Sequence, residues 1–230
     1  MNKTIWALAF VVLCSGMVSA IENASATQIS QSGWSNATGA GHISTEGGNV
    51  SDVDVSTGQS TEKWAGAFGN VTGDLLLAQV GDSNFLYTWA YSAADGGEVC
   101  VSANNNPTWS LIGSVVTIAQ IDSYLGFTSA DADSATNTLT ESGSFSIGGI
   151  TQGAAPAVTT NTGVATTWQT GALNVSSTAT DVTAFAFCVN ISNNGANYKS
   201  GTSDYQAIMP TDDTEGPGVV DNYYFYLELI

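Results

Sequence analysis

Cys100 and Cys188 are the side chains whose chemistry is most defined by type and setting. Each is flanked by strand-forming residues, Val99 and Val101 on one side and Phe187 and Val189 on the other. In an oxidising compartment such cysteines are expected to form a disulfide, within one chain or between subunits. Two buried free thiols, behaving as small apolar residues, are the remaining option. A bridge closing so long a loop removes about 4 to 5 kcal/mol of unfolded-chain entropy in the simple model.

Hydrolytic machinery is thin. His42 is the sole histidine and lies beside Gly41 in a glycine-rich stretch, a poor setting for a general base, and no nucleophile elbow accompanies it. No catalytic residue is assigned. Cys and His show no ligand spacing for zinc, so no metal site is assigned either. With 20 Asp and Glu in the chain, carboxylate pairs are inevitable, and only their separation in space would mark a glycosidase. Asp131-Ala132-Asp133 begins like a calcium loop, but Ala135, Thr136 and Ser142 stand where a ligand, the turn glycine and the bidentate glutamate belong. Asp212-Asp213-Thr214-Glu215 is a looser cation cluster. Both read as solvated acidic loops, and no cofactor is expected beyond weakly bound calcium.

Six Asn-x-Ser/Thr acceptors beyond residue 20 are candidates for glycosylation: Asn23, Asn36, Asn49, Asn70, Asn174 and Asn190. In so Asn-, Ser- and Thr-rich a chain, several arise by composition alone.

The elements carrying these residues are read from pattern. Residues 1–20 have the form of a secretory leader: Lys3, an apolar stretch from Ile5 to Cys14, and Val18-Ser19-Ala20 as a small-residue cleavage site. That stretch is too short to span a bilayer. The mature chain is therefore expected to be extracellular, with no membrane span. It is acidic: three lysines and no arginine against 20 acids give a net charge of −17 over the whole sequence. Nucleic acid is excluded as a partner, because binding it requires Lys and Arg to neutralise phosphates.

Only 10% of residues are charged, yet 10% are aromatic, which argues a packed core rather than disorder. Short β-branched and aromatic runs recur between Gly, Asn and Asp punctuation, at 50–55, 75–80, 85–91, 99–102, 115–121, 144–150, 182–191 and 219–229. Nothing reads convincingly as helix. Phe185, Phe187, Val189 and Ile191 share one side of an extended segment. The expected fold is all-β, an antiparallel sandwich-like domain over 63–230, preceded by Ser/Thr/Gly-rich strands over 21–62.

A faint internal duplication is visible. Trp64 stands six residues before Asn70-Val71-Thr72 and Trp168 six before Asn174-Val175-Ser176, while Cys100-Val101 and Cys188-Val189 are followed, three and four residues later, by an Asn pair. The halves would be 63–150 and 151–230; chance agreement between segments of biased composition is the competing account.

The stretch from Trp64 to Gly73, with Gly69-Asn70-Val71-Thr72-Gly73 as its sharpest part, is followed by Leu75-Leu76-Leu77, Tyr87-Thr88-Trp89, Gly97-Glu98-Val99 and Trp109 to Ile112. This succession resembles a pattern in secreted archaeal surface proteins. Asp204-Tyr205 to Pro210, then an acidic loop and the aromatic strand Tyr223 to Leu229, resemble the ending of those proteins. In character the chain is also similar to the sheath proteins of filamentous methanogenic archaea, acidic β-rich subunits that tile into an extracellular tube. Cys100 after Gly97-Glu98-Val99 departs from the wider pattern. The resemblance implies location and architecture; it carries over no catalytic or binding residue.

The expected role is a structural subunit of the extracellular cell envelope, self-associating through β-strand edges into a sheath or surface layer. Copies of itself are the expected partner, with other envelope proteins or glycans beside them. The assembly strand is expected at the C-terminus, in Tyr223, Tyr224, Phe225, Tyr226, Leu227 and Leu229, a run apolar on both faces with no Lys or Pro to blunt its edge. The alternative is a secreted adhesin or carbohydrate-binding β-module presenting Trp34 or Trp109 to sugar.

Overall fold

A computed structural model describes residues 21–31, 44, 46–54, 61–78, 84–114, 116–160, 168–177, 182–211 and 221–230. The leader, Trp34, Asn36, His42 and the Asp212–Glu215 cluster lie outside the described residues.

The described chain is mostly strand, in an antiparallel, sandwich-like arrangement, as the pattern of short strands implied. Thirteen strands are described: β1 (Glu22–Asn23), β2 (Trp64–Gly69), β3 (Asp74–Ala78), β4 (Phe85–Ala90), β5 (Gly97–Ser102), β6 (Glu141–Ile147), β7 (Ile150–Thr160), β8 (Trp168–Asn174), β9 (Phe185–Asn190), β10 (Gly195–Ala196), β11 (Thr202–Ser203), β12 (Tyr205–Pro210) and β13 (Tyr224–Leu229). Seven of them form one sheet in the order β1-β13-β5-β9-β8-β7-β6, while β2–β12, β3–β4 and β10–β11 are two-stranded. Strands from residues 63–150 and from 151–230 thus share the large sheet, and the two tryptophan segments differ in setting: Trp64 opens β2 in a ribbon, whereas Trp168 opens β8 inside the large sheet.

The period of two assigns the faces. Val101, Ala172, Phe185 and Phe187 point to one side, where they meet Ile121, Leu125, Phe127, Leu139 and Met209. Val99, Trp168, Val189 and Ile191 continue that side against Val71 and Ala207. The β2–β12 ribbon and two short helices cover it. On the opposite face Cys100, Cys188, Ala186, Leu173 and Tyr226 pack with Phe145 and Ile147 of β6 and with Ile112. The alternation of Phe185, Phe187, Val189 and Ile191 is therefore as the sequence implied.

Three readings are corrected. The described part of the run 115–121 is not a strand: α1 spans Ile118–Tyr124, and α2 spans Ala135–Thr138. Ile121 and Leu125, one turn apart, are buried on the same helix side, and Gly126 follows at φ 73°, the left-handed residue that commonly ends a helix. The β-branched Val116, Thr117 and Ile118 masked that period. Second, 144–150 is a hairpin rather than one strand, because Gly148 and Gly149 both have positive φ and turn β6 into β7. Third, the described part of 50–55 belongs to no strand, and Val50 is fully exposed. Within 21–62 the described residues hold one strand, the two-residue β1.

Candidate functional site

Cys100 and Cys188 stand directly opposite one another in the β5–β9 register, with Cα atoms 4.1 Å apart, and are joined by a disulfide within the chain. Both are fully buried. Two central strands of the sheet are thereby crosslinked across 88 residues of sequence.

Two residues back along β5, on the same sheet face, Glu98 stands opposite Glu228 of β13. The two carboxyl groups share a sheet face, and their residues are only 6% and 2% exposed. They reach across to β6, which curls over that face. Glu98 Oε1 accepts the Ser146 N–H at 3.2 Å, and both Glu228 oxygens accept the Gly148 N–H, at 3.1 and 2.9 Å. Glu98 Oε2 is buried without a hydrogen-bond partner. Burial pushes the Glu98 carboxyl up to about 7, opposed in part by the Ser146 hydrogen bond and reinforced by the neighbouring Glu228 charge. Glu228 is raised as well, again chiefly by burial. Gly97, at φ 124°, lets β13 lie close, since a Cβ there would meet the Glu228 carbonyl oxygen at 2.0 Å. Together with Asn190, whose Nδ2 donates to the Ser144 carbonyl, these side chains occupy polar backbone groups of outermost strand β6 and of the turn after it. Sequence reading placed Glu98 in Gly97-Glu98-Val99 and Glu228 in the C-terminal aromatic strand, but missed the pair because nothing local shows that the two strands are neighbours. The only signal was a lone acid in each of two otherwise apolar strands.

The Asp131–Asp133 segment is a docking point. Lys63 Nζ donates to Asp131 Oδ2 at 2.6 Å and lies 3.7 Å from Asp133 Oδ1, while Trp64 Nε1 donates to the Asp133 carbonyl at 2.6 Å. The ammonium of Lys63 supplies here the positive charge that a bound ion would bring, and its hydrogen bond holds Asp131 down at about 2. No group of three or more metal-ligating side chains occurs among the described residues. The helix that follows is held by Asp122, whose Oδ1 accepts the Ala135 N–H at 2.6 Å.

Of the acceptor asparagines, Asn23, Asn49, Asn70 and Asn190 are exposed, while Asn174 is half-buried with Oδ1 accepting the Ser176 N–H. Trp109 is half-buried, its ring 5.1 Å from Tyr226 in an edge-on contact.

The C-terminal strand lies inside the large sheet, one place from its edge. Every residue of β13 from Tyr224 to Leu229 pairs with β5, whereas β1 pairs only Leu227 and Tyr226, with Ala24 N–H donating to the Phe225 carbonyl. The side chains are engaged internally: Phe225 packs against the helical side of the sheet, Tyr226 donates to the Asn104 carbonyl at 2.6 Å, and Tyr223 donates to the Pro210 carbonyl. Among the described residues, no strand other than the two-residue β1 pairs with the outer side of β13.

No helix among the described residues is long and apolar enough to cross a membrane. Comparison with protein-family models, with curated proteins and with solved structures finds no match for this chain.

Proposed function

We propose that this chain is a secreted structural subunit of the extracellular cell envelope that self-associates through β-strand edges into a sheath or surface layer. The observation that carries the reading is the uneven treatment of the two edges of the large sheet. At one, side chains of Glu98 and Asn190 cap backbone groups of β6, and Glu228 caps the turn that follows it. At the other, β13 is paired along its whole length on the inner side, while among the described residues only the two of β1 pair with it outside. An edge of that kind accepts a strand from a neighbour, which extends the sheet and satisfies the remaining N–H and C=O groups. The buried disulfide supports export to an oxidising compartment, where such bonds persist.

Charge opposes assembly, since copies at −17 repel until salt or divalent cations screen them. Purified chain, followed by light scattering and negative-stain imaging through a salt and calcium series, is expected to form ordered assemblies as screening rises. A chain that stays monomeric throughout, with β13 fully protected from hydrogen exchange, would falsify edge-strand assembly and leave the adhesin or carbohydrate-binding reading. That alternative would rest on the exposed Tyr87 and Trp89, whose rings lie 4.8 Å apart but tilted by 60°, rather than on the packed Trp109.

A further inference from the structure

We infer that the β3–β4 hairpin is a contact element whose occupant is the same hairpin of a second copy of this chain. The inference rests on the self-association reading but places the side-chain contact on an element other than β13. Among the described residues the hairpin pairs with no third strand, and none of its residues belongs to a buried core cluster. Every residue of β3 is exposed, and so is every residue of β4 except Thr88. Cross-strand pairs Leu75–Trp89 and Leu77–Tyr87 set one apolar face. Leu76 lies on the other at 55% exposure, and Leu86, at the register shift, is 84% exposed.

Seven of the thirteen exposed large hydrophobic residues among those described, Leu75, Leu76, Leu77, Phe85, Leu86, Tyr87 and Trp89, lie on this one hairpin, and apolar exposure concentrated in that way marks an interaction surface. A two-stranded hairpin with no cover is marginal in water. Its outer backbone edges carry neither Lys nor Pro to deter pairing.

Charge selects the occupant. The described hairpin residues include a single charged side chain, Asp74, in a chain with 20 acids. Two such polyanions can approach most closely where each is neutral, and identical antiparallel edges are self-complementary about a two-fold axis. Because the apolar residues occupy both faces of the hairpin, a single neighbour covers only one of them. A further copy on the second face makes the contact propagate.

The test uses Leu76→Ser/Leu86→Ser, which leaves net charge unchanged, in the secreted chain. Sedimentation velocity is run over a concentration and salt series, with disulfide formation and near-ultraviolet circular dichroism checking the fold. The expected result is wild-type assembly and a variant at least tenfold weaker in association. Leu86→Ser alone, at the most exposed position, serves if the double variant does not fold. A folded variant that assembles like the wild type overturns the hairpin contact and leaves β13 edge pairing standing; a wild type that never assembles overturns both. If the substitutions abolish only flotation with zwitterionic vesicles or retention on polysaccharide, assembly being unaltered, the occupant is lipid or glycan and the inference fails.

Discussion

Glu98 and Glu228 face each other across β5 and β13, two like-charged side chains in a sheet interior, each hydrogen-bonded to a backbone N–H around the β6–β7 turn. Burial raises both carboxyl groups above their ordinary values. A raised acid binds its proton more tightly in the folded chain than in the unfolded one. The stabilising difference is fully present below about 4.5 and is lost as pH rises towards about 7. For Glu98 it is at most about 3 kcal/mol, before solvent screening reduces it. Thermal midpoints measured from pH 4.5 to 7.5 are thus expected to fall more steeply in the wild type than in Glu98→Gln. Parallel slopes would show that Glu98 ionises freely in the fold. Asp131, held low by Lys63, acts in the opposite sense and in a different window, losing its contribution as pH drops from 3.8 towards about 2.

The ring of Phe145 lies where a side chain at residue 171 would go: a Cβ on Gly171 would approach it to 2.0 Å. Phe145 is buried, at a core position facing the disulfide layer, and has little room to yield. Gly171→Ala is expected to cost about 3 kcal/mol by overpacking. Gly153→Ala is the control, since no atom lies within 4 Å of a Cβ there. Urea midpoints for the two variants decide it, and equal midpoints would mean that β6 is not seated on β8 as described.

Cys100 and Cys188 are both inaccessible, so the disulfide is expected to survive mild reductant in the folded chain and to break only on unfolding. Peptide mapping without reduction should recover the two cysteines in one linked pair. Replacing both by Ala should lower stability by about 4 kcal/mol on the loop-entropy model. A covalent dimer ladder on a non-reducing gel would place the bridge between subunits instead.

How much of this was readable follows from which forces leave a local trace. Period-two alternation announces β9 because each side chain's burial is set by its own strand. β7 escaped notice because Gly153, Ala154, Ala155 and Pro156 have little strand preference, and it forms through its neighbours. Pro156 is accommodated because β7 pairs with β8 only from Ala157 onward. The disulfide partners were legible by count, but the Glu98–Glu228 pair depends on register between strands more than a hundred residues apart. The hairpin residues Leu75–Leu77 were visible as a strand. That no other described strand covers them is a tertiary fact, and local sequence is silent about it.

Trypsin has two sites in the described chain, Lys63 and Lys199, and their surroundings differ. Lys63 opens into β2, donates to Asp131 at 2.6 Å and lies 5.3 Å from the centre of the Phe127 ring, so cutting there requires β2 to leave β12 and the Asp131 segment to undock. Lys199 is exposed in the turn between β10 and β11, before Ser200 at φ 62°. That turn is pinned by Asn197, whose Oδ1 accepts both the Lys199 and the Gly201 N–H groups, at 3.0 and 3.1 Å. Cleavage needs about ten residues of extended chain, so the native turn should be cut slowly and Lys63 more slowly still. Asn197→Ala frees two donors and should speed cutting at Lys199 several-fold while leaving Lys63 resistant. Lys63→Met should expose the 128–138 segment to hydrogen exchange with little change elsewhere. Mass spectrometry of the native digest reads both, and early cleavage after Lys63 in the wild type would mean that the β2–β12 ribbon does not cover the sheet in solution.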